Sequence, residues 1–324
     1  MFARLRARIH LRYNRRPMRR VLVVLALLIG CDRTAPASSV GARPPPSSSA
    51  PLPVSQPPQA APAIAGGVPC GELGCAQFDS PREAFLAAIA GDPAVVAIGE
   101  AHAPKGATAT SAAKRFTEDL LPALAGRASD LLVELMMPPK GCADAAAEVR
   151  QKQAPATSQQ APTNQNEYVA MGDRAHALGV VPDMLRPSCA DMDGVNHAGP
   201  DAIEASLEMI ARLSVAQASR LIDRDARSDA DRAKAVVVYG GILHNDLDPT
   251  PERAKWTYAP ALDAKAAGRL VAVDLVVPEF IVDDETWRSF AWFSKYDRAR
   301  LGGKTTLFRV SAKSFVLVFP ETRQ

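Results

Sequence analysis

Several short segments rich in Val, Ile and Leu recur along the chain, and they constrain its fold more than any other feature. They lack the alternation of apolar and polar residues that a half-exposed strand would show, so they indicate strands buried on both faces. Segments with helical spacing separate them, and strands that alternate with helices form parallel sheets. The sequence therefore predicts an α/β fold with a mostly parallel central sheet flanked by helices. The predicted strands are 94–99, 130–136, 180–185, 235–241 and 270–277.

Two further apolar segments, 305–311 and 314–320, are separated by only two residues and predict a C-terminal β-hairpin. The polar, proline-containing segment 151–165 is predicted to be a loop. Apolar residues at helical spacing predict the remaining elements. The predicted helices are 80–91, 110–126, 167–179, 199–213, 215–234 and 258–268.

The N-terminal region has the pattern of an export signal. Residues 1–20 contain eight Arg and no acidic residue, and the apolar segment 21–30 follows. Ten apolar residues are too few to span a bilayer, which takes about 20. The segment "LLIGC" resembles the bacterial lipobox, in which the cysteine is lipidated. We interpret 1–30 as a lipoprotein signal peptide and Cys31 as the lipidation site; a plain signal peptide with an incidental cysteine is the alternative.

A lipid on Cys31 would hold the protein at a membrane of the bacterial cell envelope, facing the periplasm or the cell surface. Residues 31–66 are dominated by Pro, Ser and Ala, a composition that cannot bury enough apolar surface to fold. We expect this segment to be a disordered tether. The residues from 67 to 324 are enough for one α/β domain.

The charge of the predicted domain disfavours a role in nucleic-acid binding. The whole chain has a net charge of +3, but 10 of its 38 basic residues precede residue 67. The domain 67–324 therefore has a net charge of −6. A nucleic-acid-binding domain usually carries a basic patch and a high isoelectric point, so we expect no nucleic-acid partner.

Four cysteines remain in the predicted domain, at positions 70, 75, 142 and 189. An exported protein enters an oxidising compartment, so an even number of cysteines predicts disulfides. Four cysteines allow three pairings, of which we favour Cys70 with Cys75 and Cys142 with Cys189. A thiolate metal site is the alternative, although no Cys-x-x-Cys spacing supports it.

Ionisable residues follow the predicted strands where chemistry collects in parallel sheets, at their carboxyl ends. Glu100 and His102 come directly after the strand 94–99, and residues two apart in an extended chain face the same side. Glu134 lies inside an apolar segment, where an unpaired carboxylate costs several kcal/mol; we expect His102 or a metal to be its partner. His244 follows Gly240 and Gly241 after the strand 235–241.

Three other polar residues lie near strand ends and are candidates for substrate binding. Asp183 and Arg186 lie in "VVPDMLRP", and Asp246 follows His244 in "GGILHND". If all strand ends meet at one edge of the sheet, these side chains would surround a substrate placed at Glu100 and His102. No nucleophile-elbow or P-loop pattern occurs in the sequence.

Three segments together resemble the ChaN/TIKI/erythromycin-esterase-like superfamily. "VVAIGEAH" is similar to its Gly-Glu-x-His motif, "LLVELMMP" to its following strand with an acidic residue, and "VVVYGGILH" to its late Gly-x-x-His element. The resemblance covers about residues 80–280 and implies an α/β fold with the site at the strand ends. It implies site roles for Glu100, His102, Glu134 and His244. Ala103 and Pro104 stand where ChaN-like members often have Asp and a further His, which weakens the case for haem ligation.

Three functions follow from these observations and stay open at this point. The first is a metal-dependent hydrolase of a peptide, ester or amide, with a divalent ion on Glu100, His102 and His244 and with Glu134 as ligand or general base. Without a metal, His102 would be the base and Glu134 would orient it. The second is a lipoprotein that binds haem or iron through His102 or His244. The third is a non-catalytic envelope scaffold.

Overall fold

The computed structural model describes residues 64–322. The predicted signal peptide, Cys31 and nearly all of the predicted tether lie outside these residues. The folded part begins slightly earlier than expected, because Ile64 is already buried in the core. Among the described residues, no helix combines the length and the apolar character needed to cross a bilayer.

The described residues form one sheet of nine strands, and its middle has the predicted parallel arrangement. In spatial order the strands are β1-β2-β8-β9-β7-β3-β6-β4-β5. All neighbours from β9 to β5 pair in parallel, whereas β8 and β9 form the predicted antiparallel hairpin. The bounds are β1 Val68–Pro69, β2 Cys75–Phe78, β3 Val95–Glu100, β4 Ala128–Met136, β5 Val181–Leu185, β6 Ala235–Gly241, β7 Leu270–Val276, β8 Thr305–Arg309 and β9 Ser314–Val318.

Helices cover both faces of this sheet, as the sequence predicts. The helix α1 begins after Ser80, whose side chain accepts the backbone N–H of Glu83 and so caps the helix. In the described part of the chain the α-helices are α1 Pro81–Ala88, α2 Ala112–Arg115, α3 Ala143–Thr157, α4 Asn164–Ala177, α5 Cys189–His197, α6 Ala202–Asp225, α7 Ala259–Lys265, α8 Glu285–Arg288 and α9 Arg298–Leu301.

Three helical predictions need correction. The segment 110–126 is not one helix: α2 passes into a π-helical turn at Phe116–Leu120 and a 3-10 turn at Leu121–Leu124. Pro122 explains the change, because it has no N–H for the bond that would continue an α-helix. The helices predicted at 199–213 and 215–234 are largely a single helix, α6.

The segment 151–165 is only partly the loop that its composition predicts. Helix α3 continues to Thr157 and contains Pro155 in its last turn. A proline there removes a single hydrogen bond from the helix, because only its own N–H is missing. The added length contributes to the candidate site, since this part of α3 forms one of its walls.

Two apolar cores lie on opposite faces of the sheet, and successive residues of each strand alternate between them. Val96 and Ile98 of β3 belong to the core under α1 and α4, whereas Val95 and Ala97 belong to the core under α6 and α7. Glu100 continues the series of Val96 and Ile98. Its side chain therefore emerges on the face that α4 covers.

Both predicted disulfides are confirmed. Cys70 and Cys75 close a short loop before β2, with Cα atoms 5.1 Å apart. Cys142 and Cys189 connect the start of α3 to the start of α5, with Cα atoms 5.5 Å apart. The second bond cross-links two helices that border the candidate site.

Candidate active site

Three adjacent strands, β3, β6 and β4, deliver the four predicted site residues to one edge of the sheet. Glu100 pairs in register with Gly241 across β3 and β6, and Val133 pairs with Tyr239 across β4 and β6. His102 and His244 follow the ends of β3 and β6, and Glu134 is the residue after Val133 in β4. The topology therefore places the three motifs side by side, although they are far apart in the sequence.

Glu100 is buried, and donors satisfy both of its carboxylate oxygens. Its Oε1 accepts hydrogen bonds from Tyr168 Oη at 2.6 Å and His102 Nδ1 at 2.8 Å, and its Oε2 accepts one from Tyr239 Oη at 2.6 Å. Burial alone raises the pKa of this carboxyl group, but the hydrogen bond and charge of His102 and the two tyrosine hydroxyls outweigh burial. The pKa of Glu100 is therefore lowered, and the group is a stable carboxylate.

His102 is held by this carboxylate and keeps one nitrogen for the cleft. Because Glu100 is ionised and has no hydrogen to give, His102 Nδ1 must carry the hydrogen that joins them. The neutral ring therefore has its lone pair on Nε2. Burial lowers the pKa of His102. The hydrogen bond and charge of Glu100 and the charge of Glu134 raise this pKa by more than burial lowers it, so the net shift is upward.

Glu134 has a backbone partner that the sequence did not reveal. Its Oε2 accepts the N–H of Gly241 at 2.7 Å, and its Oε1 lies 3.7 Å from His244 Nε2, which is too far for a hydrogen bond. A Cβ atom at position 240 would clash with the Glu134 carboxylate where it stands, so Gly240 leaves room for this position of the side chain. The expected pairing of Glu134 with His102 is not the one observed, since His102 pairs with Glu100.

His244 is buried, and its ring is fixed in the same manner as that of His102. Its Nδ1 donates a hydrogen bond to the backbone carbonyl of Trp256 at 2.5 Å, and its ring stacks on Tyr258. The lone pair is consequently on Nε2, which faces Glu134. A carbonyl or carboxylate that fixes the tautomer in this way is typical of the outer shell of metal-binding histidines.

The three free groups meet around Gly241. A Cβ atom built on Gly241 would lie 3.4 Å from His102 Nε2, 3.7 Å from His244 Cδ2 and 3.8 Å from Glu134 Oε2. The backbone at this point is thus bordered by one side chain from each of three strand ends. The structure thus brings these residues together in one cleft, as the sequence predicts.

The donor set suits a divalent metal ion, with one change from the predicted ligands. Two imidazole nitrogens and one carboxylate, from His102, His244 and Glu134, are a donor set that transition metals accept. Glu100 is a poor ligand here, because its oxygens already accept three hydrogen bonds. In their present positions, no three His, Cys, Asp or Glu side chains of residues 64–322 are close enough together to hold an ion.

The three residues predicted to bind substrate do not reach this cleft. Asp183 lies on the edge strand β5 and pairs with Arg186 at 2.7 Å, and its other oxygen accepts a hydrogen bond from Gln217. Asp246 is exposed, and its Oδ1 accepts the N–H of Asp248. None of Asp183, Arg186 and Asp246 lines the cleft. The expectation failed because β5 is separated from β3 by two strands and Asp246 lies past the turn that buries His244.

Sequence reasoning also missed several residues that support the site. Tyr168 gave no signal, because a tyrosine on an amphipathic helix is usually a packing residue. Tyr239 could have been identified, since it lies two residues before Gly241 on the same strand face. Asp274 of β7, an acid that the sequence places in the middle of its strand, is half-buried and accepts a hydrogen bond from Asn245 Nδ2 at 2.9 Å. Burial raises the pKa of Asp274 to about 8, the Asn245 hydrogen bond lowers it less, and the charge of Asp246 adds to the rise.

The site opens into a cleft of about 620 Å³, which is within the range of small-molecule sites. Its floor is formed by the strand ends that carry Glu100, His102, Glu134 and His244. Its walls come from α3, α4 and α6 and from the segment that contains Trp287 and Phe290. A substrate could therefore reach the three converging groups from solvent.

Comparisons with known proteins identify no relative: no family model, no curated protein and no solved structure matches this chain.

Proposed function

We propose that this cleft is the active site of a hydrolase that cleaves an ester or amide bond in a component of the bacterial envelope, where a lipid on Cys31 holds the protein. One observation carries the proposal. Two histidines from different strands are each fixed through Nδ1, so that both leave Nε2 free beside the carboxylate of Glu134. A purely structural pair of histidines would have no need of this arrangement.

The reaction we propose is a hydrolysis that consumes one water molecule for each bond cleaved. The oxygen of a water molecule adds to the acyl carbon, the C–O or C–N bond breaks, and a carboxylic acid and an alcohol or amine are released. When a divalent ion is bound, the Nε2 atoms of His102 and His244 and the carboxylate of Glu134 would hold it, and it would bring the pKa of water toward neutrality. All other contributions to the reaction would come from the protein's own residues.

Glu100 has the role of a positioning residue in this proposal. Its buried carboxylate fixes the tautomer and the direction of the His102 ring, while Tyr168 and Tyr239 stabilise the carboxylate. The Trp256 carbonyl does the same for His244. Outer partners of this kind typically contribute 10- to 100-fold to metal affinity or activity.

The first test compares histidine variants of the purified chain. We expect His102→Ala and His244→Ala each to lower the turnover of p-nitrophenyl acetate by about 100-fold or more and to lower bound metal measured by mass spectrometry. The matched controls are His176→Ala and His197→Ala, which replace exposed histidines away from the cleft. Glu100→Gln should keep the fold and lose about 10- to 100-fold.

The other two functions give different results in the same samples. A Soret band on addition of haem that is lost in His102→Ala, without hydrolysis, would favour a haem-binding lipoprotein. An unmodified protein that binds neither metal nor haem and shows no turnover would favour a non-catalytic scaffold. Either result would reject the hydrolase.

A further inference from the structure

The cleft is markedly apolar on one side. Ile203, Leu207 and Ile210 project from one face of α6, at the spacing i, i+4, i+7. Trp287 and Phe290 also line the cleft. We call these five residues the apolar wall. Four of them, all except Ile210, are only half-buried, so they leave apolar surface facing the cleft.

The apolar wall gives a substrate few hydrogen-bonding partners. Three of its residues belong to the long helix α6, in which the backbone N–H and C=O groups are largely bonded within the helix. A peptide brings one donor and one acceptor per residue, and burying them without partners costs free energy. A hydrocarbon chain brings none. The wall therefore suits an acyl chain better than a peptide.

A single guanidinium stands at this cleft. Arg150 on α3 is the only Lys or Arg among the residues that line it, and no acidic side chain within residues 64–322 forms an ion pair with Arg150. Its neighbour Lys152, by contrast, pairs with Glu148 on the same helix. Arg150 is exposed at the mouth of the cleft, where its charge is accessible to an anionic group of a ligand.

We infer that the substrate of this site is an acylated, anionic molecule: its hydrocarbon chain lies along the apolar wall, its anionic group meets Arg150, and its ester or amide carbonyl reaches the three groups around Gly241. The inference rests on the proposed hydrolase. Cleavage adds water across the acyl C–O or C–N bond and releases a fatty acid with an alcohol or amine.

The experiment measures hydrolysis of p-nitrophenyl esters from two to twelve carbons by the purified chain. We expect kcat/KM to rise about fourfold for each methylene that the wall buries, until the cleft is full. Leu207→Phe fills part of the wall and should shift the preferred ester to a shorter chain. Val169→Phe, at an exposed position on α4, is the control and should leave the profile unchanged. A flat profile overturns the acyl assignment and leaves the hydrolase standing.

Binding without turnover separates the two proposals. Dansylaminoundecanoic acid should bind saturably, and dodecanoate should displace it better than dodecanol. Arg150→Gln should weaken dodecanoate about two- to fivefold, whereas Lys152→Gln should not. Binding in a protein that hydrolyses nothing would support the ligand class and reject the hydrolase. Absence of binding, or competition by apolar peptides alone, would overturn the inference.

Discussion

Replacing Asp274 with Asn should stabilise the protein, and the effect should depend strongly on pH. Asp274 lies on β7 against Gly99, where a Cβ atom on the glycine would clash with the carboxyl oxygen. Burial raises its pKa from 3.8 to about 8. In the folded protein the group therefore stays protonated at neutral pH, whereas in the unfolded chain it is ionised.

The sign and size of the effect follow from proton linkage. Between pH 3.8 and pH 8 the unfolded state binds fewer protons at Asp274 than the folded state, so stability falls as pH rises through this window. A full shift would cost about 4 kcal/mol at pH 7, because each pKa unit is worth about 1.4 kcal/mol. The side chain is partly accessible, and solvent screening reduces that figure, so we expect about 2 to 4 kcal/mol.

Asp274→Asn removes the ionisation and keeps an oxygen that can accept the hydrogen bond of Asn245. Urea unfolding in non-reducing buffer, followed by tryptophan fluorescence, should show a gain of about 2 to 4 kcal/mol at pH 7.5 and at most about 1 kcal/mol at pH 4.5. Asp248→Asn replaces an exposed carboxylate and should change stability by less than about 0.5 kcal/mol. No gain at pH 7.5 would mean that Asp274 is ionised in the folded protein, and the reasoning would fail.

Three further perturbations test the site and its frame. Gly240→Ala should displace the Glu134 carboxylate and lower the free energy of unfolding by about 1 to 3 kcal/mol, with loss of turnover, measured by urea unfolding and ester hydrolysis. Tyr239→Phe should leave one oxygen of a buried carboxylate without its donor and destabilise by about 1 to 3 kcal/mol, read from the same unfolding curves. Removing the Cys142–Cys189 bond, whose cysteines are 47 residues apart, should cost about 4 kcal/mol, measured with both cysteines replaced by serine.

The glycine substitution and the disulfide removal each have a matched comparison. Gly303→Ala meets no atom within 4 Å, so it should leave both stability and turnover nearly unchanged. Removing the Cys70–Cys75 bond, with a separation of 5 residues, should cost about 2 kcal/mol, because a shorter loop loses less entropy. Equal losses from the two disulfides would contradict the loop-entropy argument. A Gly240→Ala protein with full turnover would contradict the placement of Glu134.

The central sheet could be predicted because its strands are buried on both faces. The segments 94–99 and 235–241 contain no charged or amide side chain, and both are strands within one residue of the predicted bounds at each end. The short strands β1 and β2 were not predicted, since a strand of two to four residues leaves no periodicity. Helix α6 was split in the prediction at Ser214, a residue that the structure buries within the helix.

The candidate site was predictable to the level of residues but not of partners, and the reason is physical. Alternation along β3 fixes Glu100 on the face of Val96 and Ile98, which leaves it in a buried position that the sequence shows only as the end of a strand. A carboxylate there needs donors, and the sequence offered His102 as one of them.

The remaining donors come from elements that no local pattern connects to Glu100. Tyr168 is 68 residues away on a helix, and Tyr239 is 139 residues away on a neighbouring strand. The other acid, Glu134, accepts a backbone N–H, a donor that every residue except proline possesses. Three hydrogen bonds occupy most of the lone pairs of Glu100, which makes it a poor metal ligand. The different positions of the two acids therefore follow from hydrogen bonding: Glu100 orients the imidazole of His102, and Glu134 lines the cleft beside His244.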